Sequence, residues 1–453
     1  MTQGLAYATI TDLRARLGAG EIDALTLLQC YADRIERYGE TSRAFISLDL
    51  DRARARAGVD TAATDAPLGG IPYACKDLFD VAGQVTTAGS RVLHDNLAER
   101  DADAIMAMDN AGAIYLGKLN LHEFAYGATG ENPHYGTPPN PYDHSRLAGG
   151  SSSGSAAALG FGLCAAALGT DTGGSVRAPA ALCGLVGFKP TCGRISTEGV
   201  IPYSWSLDHV GTFSRTAGDA ALLLEALLGT EYHPATTRLE GARIGLPRTF
   251  FFERCDPEIL ESMEQLKAFL QTAGAELVPL ELPSMQHTRT VSLTVQMPEA
   301  LSYHSRYLEQ RGHLYGQDFR AGLALGQCLL AEQYIRAKRF MESYRRDVAA
   351  LFNHVDAILT PATPVVAPPI GAVEVSVDGV SEPAGNAITR YTSFFNLTGN
   401  PAITLPCGMH SLGLPIGAQL IGAAHADEHL LGLARLIETG YDFTLPLPGL
   451  DPA

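Results

Sequence analysis

Two serine–glycine clusters and two isolated cations, Arg177 and Lys189, fall within the 43 residues 149–191, GGSSSGSAAALGFGLCAAALGTDTGGSVRAPAALCGLVGFKPT. Side chains this small build no core by bulk. They let backbone N–H and hydroxyl groups come close to one another and to a ligand, and glycine supplies tight turns that aim N–H groups at one point. Thr172-Gly173-Gly174-Ser175 reads as an anion-binding nest with a hydroxyl at its end. Acyl chemistry needs that pairing: a nucleophile beside donors for the oxyanion it creates.

Three other patterns share these residues, and each falls short. A phosphate-binding loop needs Gly-x-x-x-x-Gly-Lys-Ser/Thr, and no lysine follows Gly154 or Gly174. Gly150-x-Ser152-x-Gly154 matches the nucleophile elbow of α/β-hydrolases, but that elbow follows a strand. Residues 139–148 (PNPYDHSRLA) are turn-rich instead, with no period-two pattern. Residues 156–169 are apolar for only 14 positions, short of the roughly 18–20 that span a bilayer, and read as a buried helix running into a buried strand.

A serine nucleophile needs a base, and no histidine lies within 30 residues of Ser175 on either side. Lys76 ends the apolar run Ile71-Pro72-Tyr73-Ala74-Cys75, read as a buried strand. An ammonium leaving such a low-dielectric wall is desolvated, which lowers its pKa and lets the neutral amine accept a proton. Lys76 also reads as an ion-pairing cation beside Asp77 and Asp80, and the residues alone leave both open.

The elements that must position these groups follow from the rest of the chain. At 453 residues, 46% hydrophobic and 18% charged, the composition is ordinary globular, with no stretch biased enough to read as disordered. A formal net charge of −16 lacks the basic footprint of a nucleic-acid binder. The N-terminus, MTQGLAYATITDLRARLG, lacks the pattern of a secretory signal. Eight scattered cysteines without a CxxC pair suit a reduced, cytoplasmic protein. The 13 histidines give no ligand set, and His122-Glu123 begins no HExxH because Tyr126 stands at the second histidine position. No metal and no cofactor are expected, and neither nucleic acid nor membrane is an expected partner.

Residues 8–39 read as two amphipathic helices broken at Gly18-Ala19-Gly20, and 51–63 as a third helix. Strands are predicted at 71–75, 113–117, 243–247, 276–280, 355–361, 401–405 and 416–421, and helices at 104–111, 256–273 and most of 292–354. This alternation predicts an α/β fold, one large domain whose mixed, twisted β-sheet is covered by helices on both faces. Residues 1–65 are expected as an N-terminal helical segment packed on a catalytic domain over 66–453, with a more helical subdomain at about 241–350.

The chain resembles the amidase signature family of serine hydrolases. The resemblance rests on IPYACKDLFDVAG, KLNLHEFAYGATGENPHYGTPPNP, GGSSSGSAAA, LGTDTGGSVRAPAALCGLVGFKPTCGRIS, DAILTPATPVVAPPIG and NLTGNPAITLPCG…GLPIGAQLIG, in order over about 68–215 and 351–436. It implies a triad of Lys76, Ser151 held by a cis peptide bond, and Ser175 as the nucleophile, the two serines 24 residues apart. Neutral Lys76 would take a proton from Ser151 as Ser151 takes one from Ser175. The N–H groups of Thr172, Gly173, Gly174 and Ser175 would form the oxyanion hole, and water would hydrolyse the acyl-enzyme. Asp171 and Arg177 occupy family positions beside the nucleophile and read as an ion pair or backbone brace. Ser152 reads as a hydrogen-bonding support for the relay, and Ser153 stands where many members carry glycine.

The implied activity is hydrolysis of an amide C–N bond. Phe124, Tyr126, Tyr203, Trp205 and Thr389 are the candidate pocket residues, whose aromatic content favours a medium-sized aryl or alkyl amide, with esters and carbamates as further substrates. The family also contains the A subunit of the glutamine-dependent aspartyl/glutamyl-tRNA amidotransferase. That protein carries an RYDGxxYG-like motif and an acidic residue for the amino group of glutamine. This chain has SRYLEQRGHLYG at 305–316, and Thr389 followed by Arg390 at the acidic position. The amidotransferase component is therefore the alternative, together with a ureide- or carboxybiuret-type hydrolase suggested by FAYGATGENPHYG. The expected state is a monomer or homodimer acting on a small-molecule amide or carbamate.

Overall fold

The structure, a computed structural model, describes residues 2–59, 66–233, 238–283 and 285–450. The helix predicted over 51–63 is found as Leu50–Ala57, closed by Gly58, while residues 60–63 of that prediction and the boundary at 65 lie outside the described residues. The strands are β1 (Phe45–Leu48), β2 (Pro72–Lys76), β3 (Ile114–Leu119), β4 (Ala166–Thr170), β5 (Val186–Lys189), β6 (Val210–Ser214) and β7 (Arg243–Pro247). There follow β8 (Glu276–Leu280), β9 (Ala357–Pro361), β10 (Glu374–Val377), β11 (Val380–Pro383), β12 (Ala402–Met409) and β13 (Pro415–Ile421). Eleven of them form one sheet in the order β1-β3-β2-β4-β6-β5-β12-β13-β9-β7-β8, while β10 and β11 pair as a separate hairpin. The sheet is mixed: β3, β2 and β4 run parallel, β4 through β13 to β9 alternate in direction, and β9, β7 and β8 are parallel again.

Side chains on a strand alternate between the faces of its sheet. On β2, Tyr73 and Cys75 enter one core while Ala74 enters another, and on β4 Ala166 and Leu168 part from Ala167 in the same way. The two cores are thus the two faces. One is covered by the helices Ala217–Leu228 and Asp427–Gly440, the other by the helix Ser153–Gly160, whose alanines let it sit close to the strands. The α/β architecture expected from the alternation of elements is the one found.

Local chemistry explains the boundaries. Helix Ile10–Gly18 starts where Thr9 accepts from the Asp12 N–H at 3.0 Å, and helix Ala24–Ser42 where Asp23 accepts from the Thr26 N–H at 2.6 Å. Between them Gly20 takes a positive φ of 67°. Edge strand β1, which lies in the segment expected to be helical, two central strands, β5 (VGFK) and β6 (VGTFS), and the β10–β11 hairpin were not predicted. Both central strands are buried throughout and carry glycine, so they show no alternation to read. Among the described residues no helix is long and apolar enough to cross a membrane, and no group of His, Cys, Asp and Glu could hold a metal ion.

Candidate active site

Parallel pairing of β2 with β4 brings their C-terminal ends together. Lys76 is the last residue of one and Thr170 the last of the other. Fully buried, Lys76 donates from Nζ to Ser151 Oγ at 2.7 Å and to Thr170 Oγ1 at 2.8 Å. The ion pair suggested by its sequence neighbours is made by another residue, because Asp77 pairs with buried Lys118 at 3.3 Å and accepts from Thr87. Lys76 therefore meets hydroxyls rather than a carboxylate. Burial lowers its pKa from 10.5 to about 7, with Asp208 and Asp171 pulling weakly the other way.

Ser151 follows the cis peptide bond Gly150–Ser151 and is fully buried. The turn carrying Ser175 is drawn against it by the Ser152 N–H, which donates to the Ser175 carbonyl at 3.3 Å. Ser152 Oγ itself donates to the Thr170 carbonyl at 3.2 Å, fixing the strand end whose hydroxyl touches Lys76. Ser175 lines the pocket, and its hydroxyl has no protein partner among the described residues. No hydrogen bond joins the Ser151 and Ser175 hydroxyls among the described residues. Catalytic hydrogen bonds commonly tighten only in the substrate complex.

One expected oxyanion donor is otherwise engaged. The Gly174 N–H donates to Asp171 Oδ1 at 2.8 Å, because the turn, with φ 127° at Gly174, folds that amide back under the carboxylate. The N–H groups of Thr172, Gly173 and Ser175 have no acceptor among the described residues. Glycine is needed at 174 for space as well, since a Cβ there would overlap Thr392 Oγ1.

Asp171 and Arg177 form a buried brace. Arg177 donates to Asp171 from Nε at 3.0 Å and Nη2 at 2.9 Å, then reaches the Thr392 carbonyl at 3.0 Å and the side chains of Gln419 and Asn396 at 2.6 Å. Burial alone would raise the Asp171 carboxyl, but Arg177, Lys189 and Asn396 outweigh it and hold it well below the usual range. The brace ties the Ser175 turn to β13 and to the helix Phe394–Thr398. Asp208, pushed up to about 6 by burial, secures the other side of the turn. It accepts from Thr172 Oγ1 at 2.5 Å and from the N–H groups of Tyr203 at 2.9 Å and Ser204 at 3.0 Å.

A pocket of about 360 Å³ opens over Thr172, Gly173 and Ser175. Tyr126, Tyr203 and Thr389 line it; Phe124 and Trp205 do not. Phe124 is buried in a ring cluster with His304, Tyr315 and Phe319, and Trp205 is 52% exposed beside an adjoining cavity that shares Ala125 and Tyr203 with the pocket. Both positions depart from the sequence expectation because an aromatic side chain close in sequence to a site residue is free to pack on either side of its backbone. Lining residues without a sequence motif include Arg289, Ser292, Leu293 and Gln296, on the helix Thr288–Arg311, and the pair His122–Asp318 at 2.8 Å. The spacing 289, 292, 293, 296 marks one helix face and was the signal available. A second cavity of about 400 Å³, between Tyr142, Arg215, Glu438 and the C-terminal segment, shares no residue with the first.

Residues 26–431 match the family model described as Amidase. The A subunit of the glutamyl-tRNA(Gln) amidotransferase of Chromohalobacter salexigens is 35% identical over 97% of this chain and 98% of its own. An amidase of Pseudomonas putida is 37% identical over 90% of this chain and 91% of its own. A crystal structure of an amidase superposes with a TM-score of 0.90 at 34% identity, covering 95% of this chain and 99% of that one. A catalytic-type pocket on this fold and a match over nearly the whole length agree: the chain belongs to the amidase family and is a hydrolase of amide C–N bonds.

Proposed function

We propose that the protein is a stand-alone amidase that cleaves a medium-sized amide through an acyl-enzyme on Ser175, with Ser151 and Lys76 as its proton relay. The observation that carries this reading is a buried Lys76, near neutrality at physiological pH, hydrogen-bonded to Ser151 beside a pocket-lining Ser175. As Ser175 Oγ bonds to the carbonyl carbon, its proton passes to Ser151 and that of Ser151 to Lys76. The oxyanion is received by the N–H groups of Thr172, Gly173 and Ser175. The proton returns through the relay to the departing nitrogen, the C–N bond breaks, and water repeats the sequence to free the acid. A pocket of about 360 Å³ suits a medium-sized substrate, activated esters and carbamates included.

The amidotransferase reading, raised by the relatives, needs a carboxylate for the ammonium of glutamine. Asp318, the pocket carboxylate, is already engaged by His122 and the Phe319 N–H, each at 2.8 Å, and Thr389 is uncharged. Eight free cysteines suit a reducing, cytoplasmic setting, and an autonomous enzyme acts as a monomer or homodimer. Incubating the purified chain alone with neutral aryl amides and with glutamine, beside Ser175→Ala, tests the proposal. Anilide hydrolysis that disappears in the variant is expected; activity on glutamine alone, or none on any anilide, refutes it.

A further inference from the structure

The face of helix Thr288–Arg311 that lines the pocket carries Arg289, Ser292, Leu293 and Gln296. Its inner end is fixed. Gln296 Nε2 donates to Ser292 Oγ at 2.7 Å, its Oε1 accepts from the Tyr203 hydroxyl at 3.3 Å, and its amide lies 3.9 Å from where a side chain on Gly173 would begin. Arg289 is seven residues earlier on the same face, about 10 Å along the axis at about 1.5 Å per residue. Its guanidinium is exposed to the pocket and has neither hydrogen bond nor ion pair among the described residues. The titratable groups that act on it are Tyr203 and Tyr126, both phenols whose ionisation burial pushes further up and which are therefore neutral. The other titratable side chains of the pocket, His122 and Asp318, pair through His122 Nε2 at 2.8 Å, with His122 Nδ1 left without a partner among the described residues.

We infer that Arg289 is the binding residue for a carboxylate or similar anion carried by the substrate, set roughly two helical turns from the scissile carbonyl. The inference rests on the amidase reading above and names its substrate class: an amide with a negatively charged group at its far end. A guanidinium facing uncharged phenols in a concave wall is free to give a planar anion two parallel N–H bonds. The engaged Asp318 offers no comparable site for an ammonium.

The test uses matched pairs: p-nitroanilides of glutaric and adipic acid against their methyl esters, and 4-acetamidobenzoate against its methyl ester. Wild type is expected to favour the anion of at least one pair by roughly 10- to 100-fold in kcat/KM, the range of a charge-assisted hydrogen bond. That ratio falls to near one in Arg289→Met, stays partly above one in Arg289→Lys, and shrinks several-fold in wild type at high salt. A ratio near one in wild type, an anion preference that survives Arg289→Met, or a preference for an amine-bearing analogue overturns the inference. Turnover of the neutral esters by wild type but not by Ser175→Ala reports separately on the amidase reading. Without any turnover, calorimetric binding of adipate still decides: uptake lost in Arg289→Met supports the anion site, and no uptake by wild type overturns it.

Discussion

Replacing Lys76 by methionine separates the catalytic reading of the buried lysine from a structural one, because the two make opposite demands on stability. Moving the lysine pKa from 10.5 to about 7 multiplies the neutral fraction at pH 7 by roughly a thousand. In the folded protein the amine therefore gives up a proton that the unfolded chain still holds. The unfolded state binds more protons between about pH 7 and 10.5, so stability attributable to Lys76 rises with pH across that window. Below it the full cost stands, at most about 5 kcal/mol, offset by the hydrogen bonds to Ser151 and Thr170. Lys76→Met removes cost and hydrogen bonds together. Its melting temperature is expected to be at least that of wild type at pH 6–7, with the advantage fading toward pH 10. Activity moves the other way: kcat/KM on a neutral anilide should fall by roughly 10²–10⁴, the usual worth of a positioned base. The rise of wild-type kcat/KM through pH 7, one decade per unit on its acid side, should vanish as well. Assay needs only melting curves and initial rates from pH 5.5 to 10. A variant that melts below wild type by the same margin at every pH, with activity within tenfold, would show that Lys76 is a structural residue.

Three further substitutions probe the machinery around it. Ser151→Ala breaks the path between Lys76 and Ser175 and should lower kcat by roughly 10²–10⁴ with little change in KM; equal effects on both constants would point to a disturbed pocket instead. Asp171→Asn leaves the buried Arg177 cation without its counter-charge, which costs about 3–5 kcal/mol and should appear as a drop of several degrees in melting temperature; an unchanged transition would refute the brace. Gly174→Ala forces a Cβ into Thr392 at a backbone φ of 127°, so stability and kcat should fall together, and Gly174→Ala with wild-type kinetics would mean that the nucleophile turn has other room to move.

What was legible in the sequence follows how each residue does its work. Ser151 and Ser175 lie in one long, compositionally unusual segment, the strand ending at Lys76 announced itself as an apolar run against a charge, and the roles of Lys76 and Ser151 were implied by the family resemblance. The two N-terminal amphipathic helices were legible from their apolar period and the Gly18-Ala19-Gly20 break, while the Thr9 and Asp23 caps that fix their starts were not read. Thr170 was invisible: it approaches Lys76 only because β2 and β4 run parallel in register, a relation 94 residues long in sequence. The same holds for Lys118, whose claim on Asp77 frees Lys76 from an ion pair that its own neighbours suggested. Gly174 failed as an oxyanion donor for a reason of angle, since composition marks where a nest forms but not which of its amides turns inward. Phe124 and Trp205 show that aromatic side chains near a motif carry no sign of which way they face.

That the proposed base is a lysine and not a histidine follows from this packing as much as from composition. Two imidazoles stand near the turn: His122 lines the pocket and is held at Nε2 by Asp318 at 2.8 Å, and His209 pairs backbone to backbone with Asp171, four residues before Ser175. The His209 Nδ1 is directed at the carbonyls of Leu207 and Asp171, and burial with Lys189 nearby holds its pKa at about 3. An imidazole so weakly basic cannot take a serine proton at neutral pH. Lysine starts from the opposite end of the scale, so the same dry interior that disables His209 brings Lys76 down to the pH at which a base is useful. On the proposed relay, a buried site therefore selects the base with the highest starting pKa, and the hydroxyl of Ser151 would supply the reach that a lysine locked in a strand end does not have.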